Sequence, residues 1–304
     1  MANNRWRPPR NYSISYKLFK DHHTHLNDMY WAHVPASLTI KKTVKTKKET
    51  FQKPLDFFVN KDENDRRVAD SWEKWEKGYS DFLSLTRINL LLDINSYFEV
   101  YLKSIICLAM ESRPDVLINR PSIIDGLNLL KNRQDYHFKN IRSYMFKNQL
   151  EGMIQGDWNN RANVFEKTFG SVPEVLIRNL DQLNNVRKLR NNVGHYFGRD
   201  PLKYDGKIIS APENLISISE KQLMDTLNLM EKISSAIDKF LLFNFIGCYE
   251  LVLFFVQNFD LPRNDSKSLV KPKAEILRQF LGKDGYHPIK IDYSVDVLIN
   301  YINL

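Results

Sequence analysis

Hydrophobic residues recur at helical spacing along most of this chain, beginning near Asp70. The clearest stripe of apolar side chains, three or four positions apart, consists of Leu91, Ile94, Phe98, Tyr101, Ile105 and Leu108. That spacing places them on one face of a long α-helix, which predicts a buried face. Asn95 and Glu99 lie on a neighbouring face, so we expect the Glu99 carboxylate to be half-buried and partnered. Pro114 and Asp115 are expected to close this helix.

Two further helices carry start signals. Ser171–Glu174 and Ser219–Gln222 both have the form of a capping box, in which two side chains and two backbone N–H groups pair at a helix start. The first helix leads into a basic segment, and its stripe consists of Leu176, Leu180 and Leu183. The second has an apolar face that extends over residues 223–256, with Gly247 as the candidate position for a break. This face is larger than one small bundle needs, so we expect part of it to support a homodimer; packing within the chain is the alternative.

Residues 1–65 have a different pattern, rich in lysine, threonine and aromatic residues and weak in helical period. Residues 37–51 have strand-like content with interleaved lysines, namely Lys41, Lys42, Lys45, Lys47 and Lys48. These predict either a solvated edge strand or an arm that contacts phosphates, with binding that depends steeply on salt. The predicted fold is mostly α, with a mixed, partly extended N-terminal region. The predicted organisation is a basic extension (1–65), a helical domain (66–245) and a C-terminal helical extension (246–304).

Composition narrows the class of protein. The chain has 304 residues, of which 43% are hydrophobic and 26% charged, as in a soluble globular protein. Its 44 lysines and arginines exceed its 36 acidic residues, which favours a polyanionic partner such as nucleic acid. Two cysteines in apolar segments, Cys107 and Cys248, favour a reducing cytoplasm without disulfides. The apolar run 240–259 is interrupted by polar residues, which predicts a buried helix and no membrane association.

The segment Arg190–His195 contains the candidate catalytic side chains of the sequence. It holds one guanidinium, one amide and one imidazole, at Arg190, Asn191 and His195. Arginine can stabilise a charged phosphorane, histidine can move a proton near neutral pH, and asparagine can orient either of them. On a helix Asn191 and His195 share a face, whereas Arg190 and His195 lie about 140° apart. Gly194 and Gly198 are poor helix formers, so we expect the helix to loosen or end there.

More cations flank this segment. Arg187 and Lys188 precede it and Arg199 follows it. Together with the motif they predict a basic ledge that carries a titratable group, which suits the binding of an RNA phosphodiester.

The Arg-Asn-x-x-x-His pattern resembles the R-x4–6-H motif of HEPN-superfamily ribonucleases. The upstream run from Phe98 to Leu102 is similar to the F-E-x-x-L run of several such families, and an aromatic stretch from Trp158 to Gly170 precedes the motif helix. The resemblance covers roughly residues 70–245. It implies a bundle of four to five antiparallel helices and a homodimer in which two motifs line one cleft.

The resemblance also implies a reaction, the metal-independent cleavage of RNA by attack of the 2′-OH, with no cofactor. His195 would act as general acid or base, Arg190 would stabilise charge on the phosphate, and Asn191 would orient Arg190 or the phosphate. Asn95 and Glu99 would support the motif, although for Glu99 a role in helix packing is the alternative. Many HEPN ribonucleases are toxins or anti-phage effectors that attack tRNA or bulk RNA, which implies an antitoxin or sensor partner.

Two other functions stay open at this point. A non-catalytic RNA-binding or regulatory protein on the same scaffold would use the motif as a solvated helix end. A metal-dependent hydrolase would use His22, His23 and His25, whose alternation on a strand could bind Zn²⁺. No distant fourth ligand is obvious, so we expect a polar surface or an RNA-contacting loop there and predict no metal.

Overall fold

The computed structural model describes residues 5–58, 67–117, 124–131, 147–196, 217–258 and 291–303. Most of these residues are helical, and none of them lies in a strand, so the mostly α class is confirmed. The helices are α1 (Ile14–Lys47), α2 (Pro54–Phe57), α3 (Trp72–Ser112), α4 (Gly126–Lys131), α5 (Lys147–Ile154), α6 (Trp158–Phe169), α7 (Glu174–Ile177), α8 (Leu180–Tyr196), α9 (Glu220–Leu241), α10 (Tyr249–Asn258) and α11 (Ile291–Asn303). A 3-10 turn (Pro114–Leu117) follows α3, and a π-helical turn (Leu242–Ile246) follows α9.

Helix α3 confirms the stripe predicted from its spacing. All six apolar residues of the stripe are buried, and Leu91, Ile94 and Ile105 have no exposed surface. The helix ends at Ser112, two residues before Pro114, as expected. Glu99 is half-buried, as expected for a carboxylate beside an apolar face.

Helix α1 corrects the prediction of extended structure near the N-terminus. Residues 37–47 belong to a 34-residue helix, whose buried hydrophobic side chains are Phe19, Leu26, Tyr30 and Val44. Leu38 and Ile40, which gave the segment its strand-like content, are 61% and 37% exposed. They belong to the surface of the helix rather than to the core, so the alternation that they suggested was wrong.

The two predicted capping boxes have different outcomes. At Ser219 the box forms: the Gln222 N–H donates to Ser219 Oγ at 3.1 Å, and the Ser219 N–H donates to Gln222 Oε1 at 2.8 Å. At Ser171 the prediction was wrong, because Pro173 has an extended backbone (ψ 128°) that prevents a helix from starting there. A single turn, α7, begins at Glu174, and α8 starts separately at Leu180.

The chain divides into two compact units, each built from non-consecutive segments. Unit one comprises residues 1–20, 97–185 and 231–304, and unit two comprises residues 21–96 and 186–230. The predicted domains are consecutive segments and do not coincide with these units. Their boundaries at 65/66 and 245/246 stay predictions.

In unit one, a buried carboxylate, Asp238, and a half-buried one, Glu250, bind the start of α1. The backbone N–H and the hydroxyl of Ser13 both donate to Asp238, which is 1% exposed. The Ile14 N–H donates to Glu250 at 2.9 Å, and the Arg10 guanidinium lies 3.9 Å from the same carboxylate. These acceptors satisfy N–H groups that a helix start leaves without partners.

Burial of these carboxyls shifts their ionisation. It raises the pKa of Asp238 to about 7 and also raises the pKa of Glu250, although Ser13 opposes the first shift and Arg10 the second. Both carboxyls therefore favour the protonated form more strongly in the folded protein than in the unfolded chain.

The residues just before α1 are held by a hydrogen-bonded arginine. The Arg5 guanidinium donates to Asp125 (3.0 Å), to Ser112 Oγ (2.6 Å) and to the carbonyl of Ile246 (2.7 Å). The backbone of Arg5 lies against Gly247, which has φ +55°. A Cβ atom at residue 247 would lie 2.3 Å from the Arg5 carbonyl oxygen. The break predicted at Gly247 is confirmed, and the close approach of Arg5 explains why glycine is needed there.

The large apolar face of residues 223–256 is buried in the folded chain. Members that are 0–3% exposed include Leu223, Leu227, Met230, Ile233, Ile237, Leu241, Val252 and Phe255. Packing within the chain explains the size of this apolar face. The size of the face therefore does not support a homodimer, which stays a prediction. Within the described part of the chain, no single helix has the length and apolar content to cross a membrane. Residues Glu220–Ile246 and Tyr249–Gln257 meet that test only as a pair, bent by 81°.

Candidate functional site

The candidate catalytic residues lie on α8, in its second half. The helix passes through Gly194 and ends at Tyr196, so the loosening expected at Gly194 is absent, while Gly198 lies outside the described residues. A regular helix places Arg187, Asn191 and His195 on one face, because they are four residues apart. For His195 the structure describes the backbone alone.

Helix α8 is held in place at both ends. Near its start, Asn184 Oδ1 accepts a hydrogen bond from the Trp158 N–H at 2.9 Å, which ties it to α6. Near its end, Val193 is 6% exposed. Arg190 and Asn191 are half-buried, whereas Asn192 is exposed. The two motif side chains therefore lie at the edge of a packed surface, where water is partly excluded.

One contact joins two of the motif residues. Nη1 of Arg190 donates a hydrogen bond to Oδ1 of Asn191, with a distance of 3.1 Å. Asn191 is on the helical face of His195, and Arg190 is not. The hydrogen bond therefore draws the guanidinium towards that face and reduces the effect of the 140° separation between Arg190 and His195.

The flanking cations differ in their surroundings. Lys188 is exposed, and Arg199 lies outside the described residues. Arg187 is half-buried, and its Nε has no hydrogen-bond partner in the part of the chain that the structure describes. A buried N–H donor without an acceptor is unfavourable in free energy. The Nε of Arg187 therefore favours the binding of an anionic acceptor.

The two predicted supporting residues lie on α3. Asn95 is 8% exposed, and its Nδ2 donates to the Leu91 carbonyl at 2.7 Å, within its own helix. Glu99 belongs to unit one, whereas Arg190 belongs to unit two. The role of both residues as partners of the motif stays a prediction.

The lysine run lies at the C-terminal end of α1. Because this segment is helical, the edge-strand interpretation was wrong. Lys41, Lys42 and Lys45 are exposed, while the Lys48 ammonium lies 3.0 Å from Glu76 and the Lys47 ammonium lies 5.9 Å from the ring centre of Phe51. Cations near a helix C-terminus are stabilised by the helix dipole, which is a structural reason for their position. Contact with RNA phosphates stays a prediction.

The histidine cluster does not have the geometry of a metal site. Its residues are helical, not extended, so His22 and His23 diverge by about 100°. His22 Nε2 lies 3.3 Å from Asp93, His23 is buried with Nε2 3.1 Å from the Leu227 carbonyl, and His25 is exposed. Among the described residues, no group of three metal-ligating side chains is placed to hold an ion. The expectation of a loop at this position was also wrong.

Sequence reasoning missed a row of aromatic rings at the start of α3. The rings of Trp75 and Tyr79 are stacked with centres 5.0 Å apart, and Phe58 and Phe82 extend the row on either side. The spacing i, i+4, i+7 was visible, but it is also typical of a core stripe. Only the structure shows that Phe82 is 53% exposed.

Comparisons with protein-family models, curated proteins and solved structures found no match to this chain. A proposal about function therefore depends on the chemistry of α8 and of the basic and aromatic residues described above.

Proposed function

We propose that this chain is a metal-independent endoribonuclease whose catalytic residues are Arg190, Asn191 and His195. The hydrogen bond from Arg190 to Asn191 is the observation that supports this most directly, because it holds a guanidinium beside the helical face of His195. An arginine, an amide and an imidazole within one turn and a half of helix can bind a phosphate and transfer a proton next to it.

The proposed reaction needs only the RNA itself. The ribose 2′-oxygen attacks the adjacent phosphorus while its proton passes to a base, and the bond from phosphorus to the 5′-oxygen breaks as that oxygen takes a proton. His195 serves as the base or the acid, since imidazole ordinarily titrates near neutral pH. Arg190 stabilises the charge on the non-bridging oxygens. The products are a 2′,3′-cyclic phosphate and a 5′-OH, and the need for a 2′-OH restricts cleavage to RNA.

Further parts of the proposal come from the HEPN resemblance. A homodimer would bring two motifs to one cleft, and a tRNA or bulk-RNA target would suit a toxin or an anti-phage effector. Such an effector would be controlled by an antitoxin or a sensor partner.

A non-catalytic RNA-binding or regulatory protein is the second candidate. The exposed lysines of α1 and the unsatisfied Nε of Arg187 favour binding of a polyanion whether or not cleavage follows. This alternative predicts affinity for RNA that falls steeply with salt and no change in the RNA itself.

One experiment separates the two candidates. Purified protein is incubated with tRNA and total RNA in excess EDTA, beside the Arg190→Ala and His195→Ala variants. Arg178→Ala is the matched control, because Arg178 is an exposed arginine on the segment just before α8. We expect cyclic-phosphate products from the wild type and from Arg178→Ala, and none from the two motif variants.

The other outcomes are equally informative. Tight binding without cleavage supports the non-catalytic protein. Cleavage that EDTA abolishes contradicts the metal-independent reaction. Cleavage that survives in both motif variants places the catalytic residues elsewhere.

A further inference from the structure

Unit two contains an open groove beside the first turns of α3. Its lining includes Trp75, Gly78, Tyr79 and Phe82 of α3, together with Phe58. Phe82 is 53% exposed, and Trp75 and Tyr79 are half-buried. Exposure of large aromatic side chains to water is unfavourable in free energy. Covering them with a planar group removes this apolar surface from water and is therefore favourable.

The rings that line this groove share one orientation. The planes of Phe58 and Trp75 differ by 20°, those of Trp75 and Tyr79 by 16°, and those of Tyr79 and Phe82 by 21°. Core aromatic pairs meet at many angles; Phe169 and Phe245, for instance, meet at 66°. A row of near-parallel rings offers parallel surfaces for further planar groups, in the manner of stacked bases.

Gly78 leaves space in the lining of the groove. A Cβ atom at this position would have no neighbour within 4 Å. Glycine lowers helix stability relative to alanine in an exposed helix interior. Here the missing side chain gives a flat group access to the edges of Trp75 and Tyr79.

Two cations line the groove, Arg67 and Lys74. Among the residues that the structure describes, no carboxylate belongs to its lining. The Lys74 ammonium lies 3.3 Å from Asp70, with the two side chains 69% and 79% exposed. An exposed pair of this kind contributes little free energy, so a phosphate can replace Asp70 at small cost.

We propose that this groove binds single-stranded RNA. Unpaired bases stack on Phe82 and contact the edges of Tyr79 and Trp75, while Arg67 and Lys74 bind the phosphates between them. The bases must be unpaired because a duplex hides their faces. That the nucleic acid is RNA, and so a substrate, rests on the proposed ribonuclease function, whereas stacking and phosphate contact rest on the groove itself. An apolar peptide would offer neither cation a new anionic partner.

The test measures binding without cleavage. A labelled 2′-O-methyl RNA of roughly ten nucleotides has no free 2′-OH, so its fluorescence anisotropy with the full chain reports binding alone. We expect Phe82→Leu and Tyr79→Leu each to weaken binding by about 5- to 100-fold, since they keep apolar volume and lose stacking. Leu85→Ala is the matched control, because Leu85 is 50% exposed on the same helix and lies outside the groove.

A second pair of variants tests the groove by adding a side chain to it rather than removing one. Gly78→Leu places a side chain in the groove and is expected to weaken binding by at least about tenfold. Ser80→Leu is its control, because Ser80 is exposed on the same helix and lies outside the groove; it is expected to keep binding and to raise helix stability. Both changes favour the helix, so a loss of binding in Gly78→Leu alone cannot come from unfolding.

The outcomes separate the groove from the catalytic site. Binding that is unchanged in Phe82→Leu and Gly78→Leu overturns the groove proposal, even if RNA is cleaved. Equal affinity for a duplex, or no affinity for any nucleic acid, also overturns it. Single-strand binding that these variants weaken, without cleavage of ordinary RNA, supports the groove and contradicts the ribonuclease.

Discussion

Arg190 and Asn191 are adjacent on α8, and their side chains leave the helix about 100° apart, yet they are joined by a hydrogen bond of 3.1 Å. Neighbouring residues on a helix do not ordinarily face one another. The guanidinium therefore bends round the helix surface, and the amide of Asn191 fixes its direction. Asn191 has no group that could serve as a nucleophile or a proton carrier at neutral pH, so its proposed role is to position Arg190.

The first prediction concerns this positioning. Asn191→Ala removes the acceptor and frees Arg190, and we expect single-turnover cleavage to fall by about 10- to 100-fold. Asn191→Asp keeps an acceptor and is expected to retain more activity than Asn191→Ala. Asn192→Ala is the control, since Asn192 is the exposed neighbour. Equal losses in the variants at 191 and 192 would show that the hydrogen bond has no role in cleavage.

The second prediction concerns Asp238. Its pKa is raised to about 7 in the folded protein, mainly by burial, so the folded state binds a proton that the unfolded chain has already lost. The stabilising effect of that proton is complete below about pH 4 and is lost as pH rises towards 7. We expect the free energy of unfolding of the wild type, relative to Asp238→Asn, to fall over this range with a slope approaching about 1.4 kcal/mol per pH unit.

Urea denaturation at pH 4, 5, 6, 7 and 8 provides the measurement. Glu250 has a pKa raised in the same direction and Arg10 lies beside it, so the difference between the two proteins, not the wild-type curve alone, isolates Asp238. A constant difference across the range would contradict the raised pKa.

The third prediction concerns Gly247. Gly247→Ala combines a backbone with φ +55° and a Cβ atom 2.3 Å from the Arg5 carbonyl, so we expect a loss of about 2–4 kcal/mol in the free energy of unfolding. Gly170→Ala separates the two effects, because Gly170 has φ +81° and open space around its Cβ position. It is expected to lose only about 1–2 kcal/mol. Similar losses in both variants would show that Arg5 moves away readily.

The fourth prediction concerns the capping box at the start of α9. Ser219→Ala removes the acceptor for the Gln222 N–H, and we expect a loss of about 1 kcal/mol in the free energy of unfolding. Ser96→Ala is the control, because the hydroxyl of Ser96 is exposed and donates within its own helix. Thermal denaturation of the two variants measures the difference in their stability. An equal loss of stability in both would show that the loss in Ser219→Ala does not come from the cap.

Local patterns in the sequence predicted local structure well. The buried stripe of α3 and the capping box at Ser219 depend on residues a few positions apart, so their spacing was sufficient. The strand-like interpretation of residues 37–51 failed because Leu38 and Ile40 are surface residues of a helix, and burial is not visible in sequence. The acceptors for the start of α1 were not predictable, since Asp238 is 225 residues away from Ser13.

The candidate site was predictable in its residues more than in its geometry. The chemistry of Arg190, Asn191 and His195 follows from residue type, and the shared face of two of them follows from helix spacing. The contact between Arg190 and Asn191 was not predictable from helix geometry, which separates adjacent side chains. The aromatic groove was missed because stacking and exposure depend on Phe58, which lies outside α3 and is brought to Trp75 by the fold.

The anchoring of the first residues to late parts of the chain has a consequence for biosynthesis. Arg5, Ser13 and Ile14 are translated 241, 225 and 236 residues before their respective partners Ile246, Asp238 and Glu250. These three residues therefore lack their native partners until residues 238–250 have been translated. Contacts of such long range slow folding, so we expect this segment to become protected only after residues 238–250 have been synthesised.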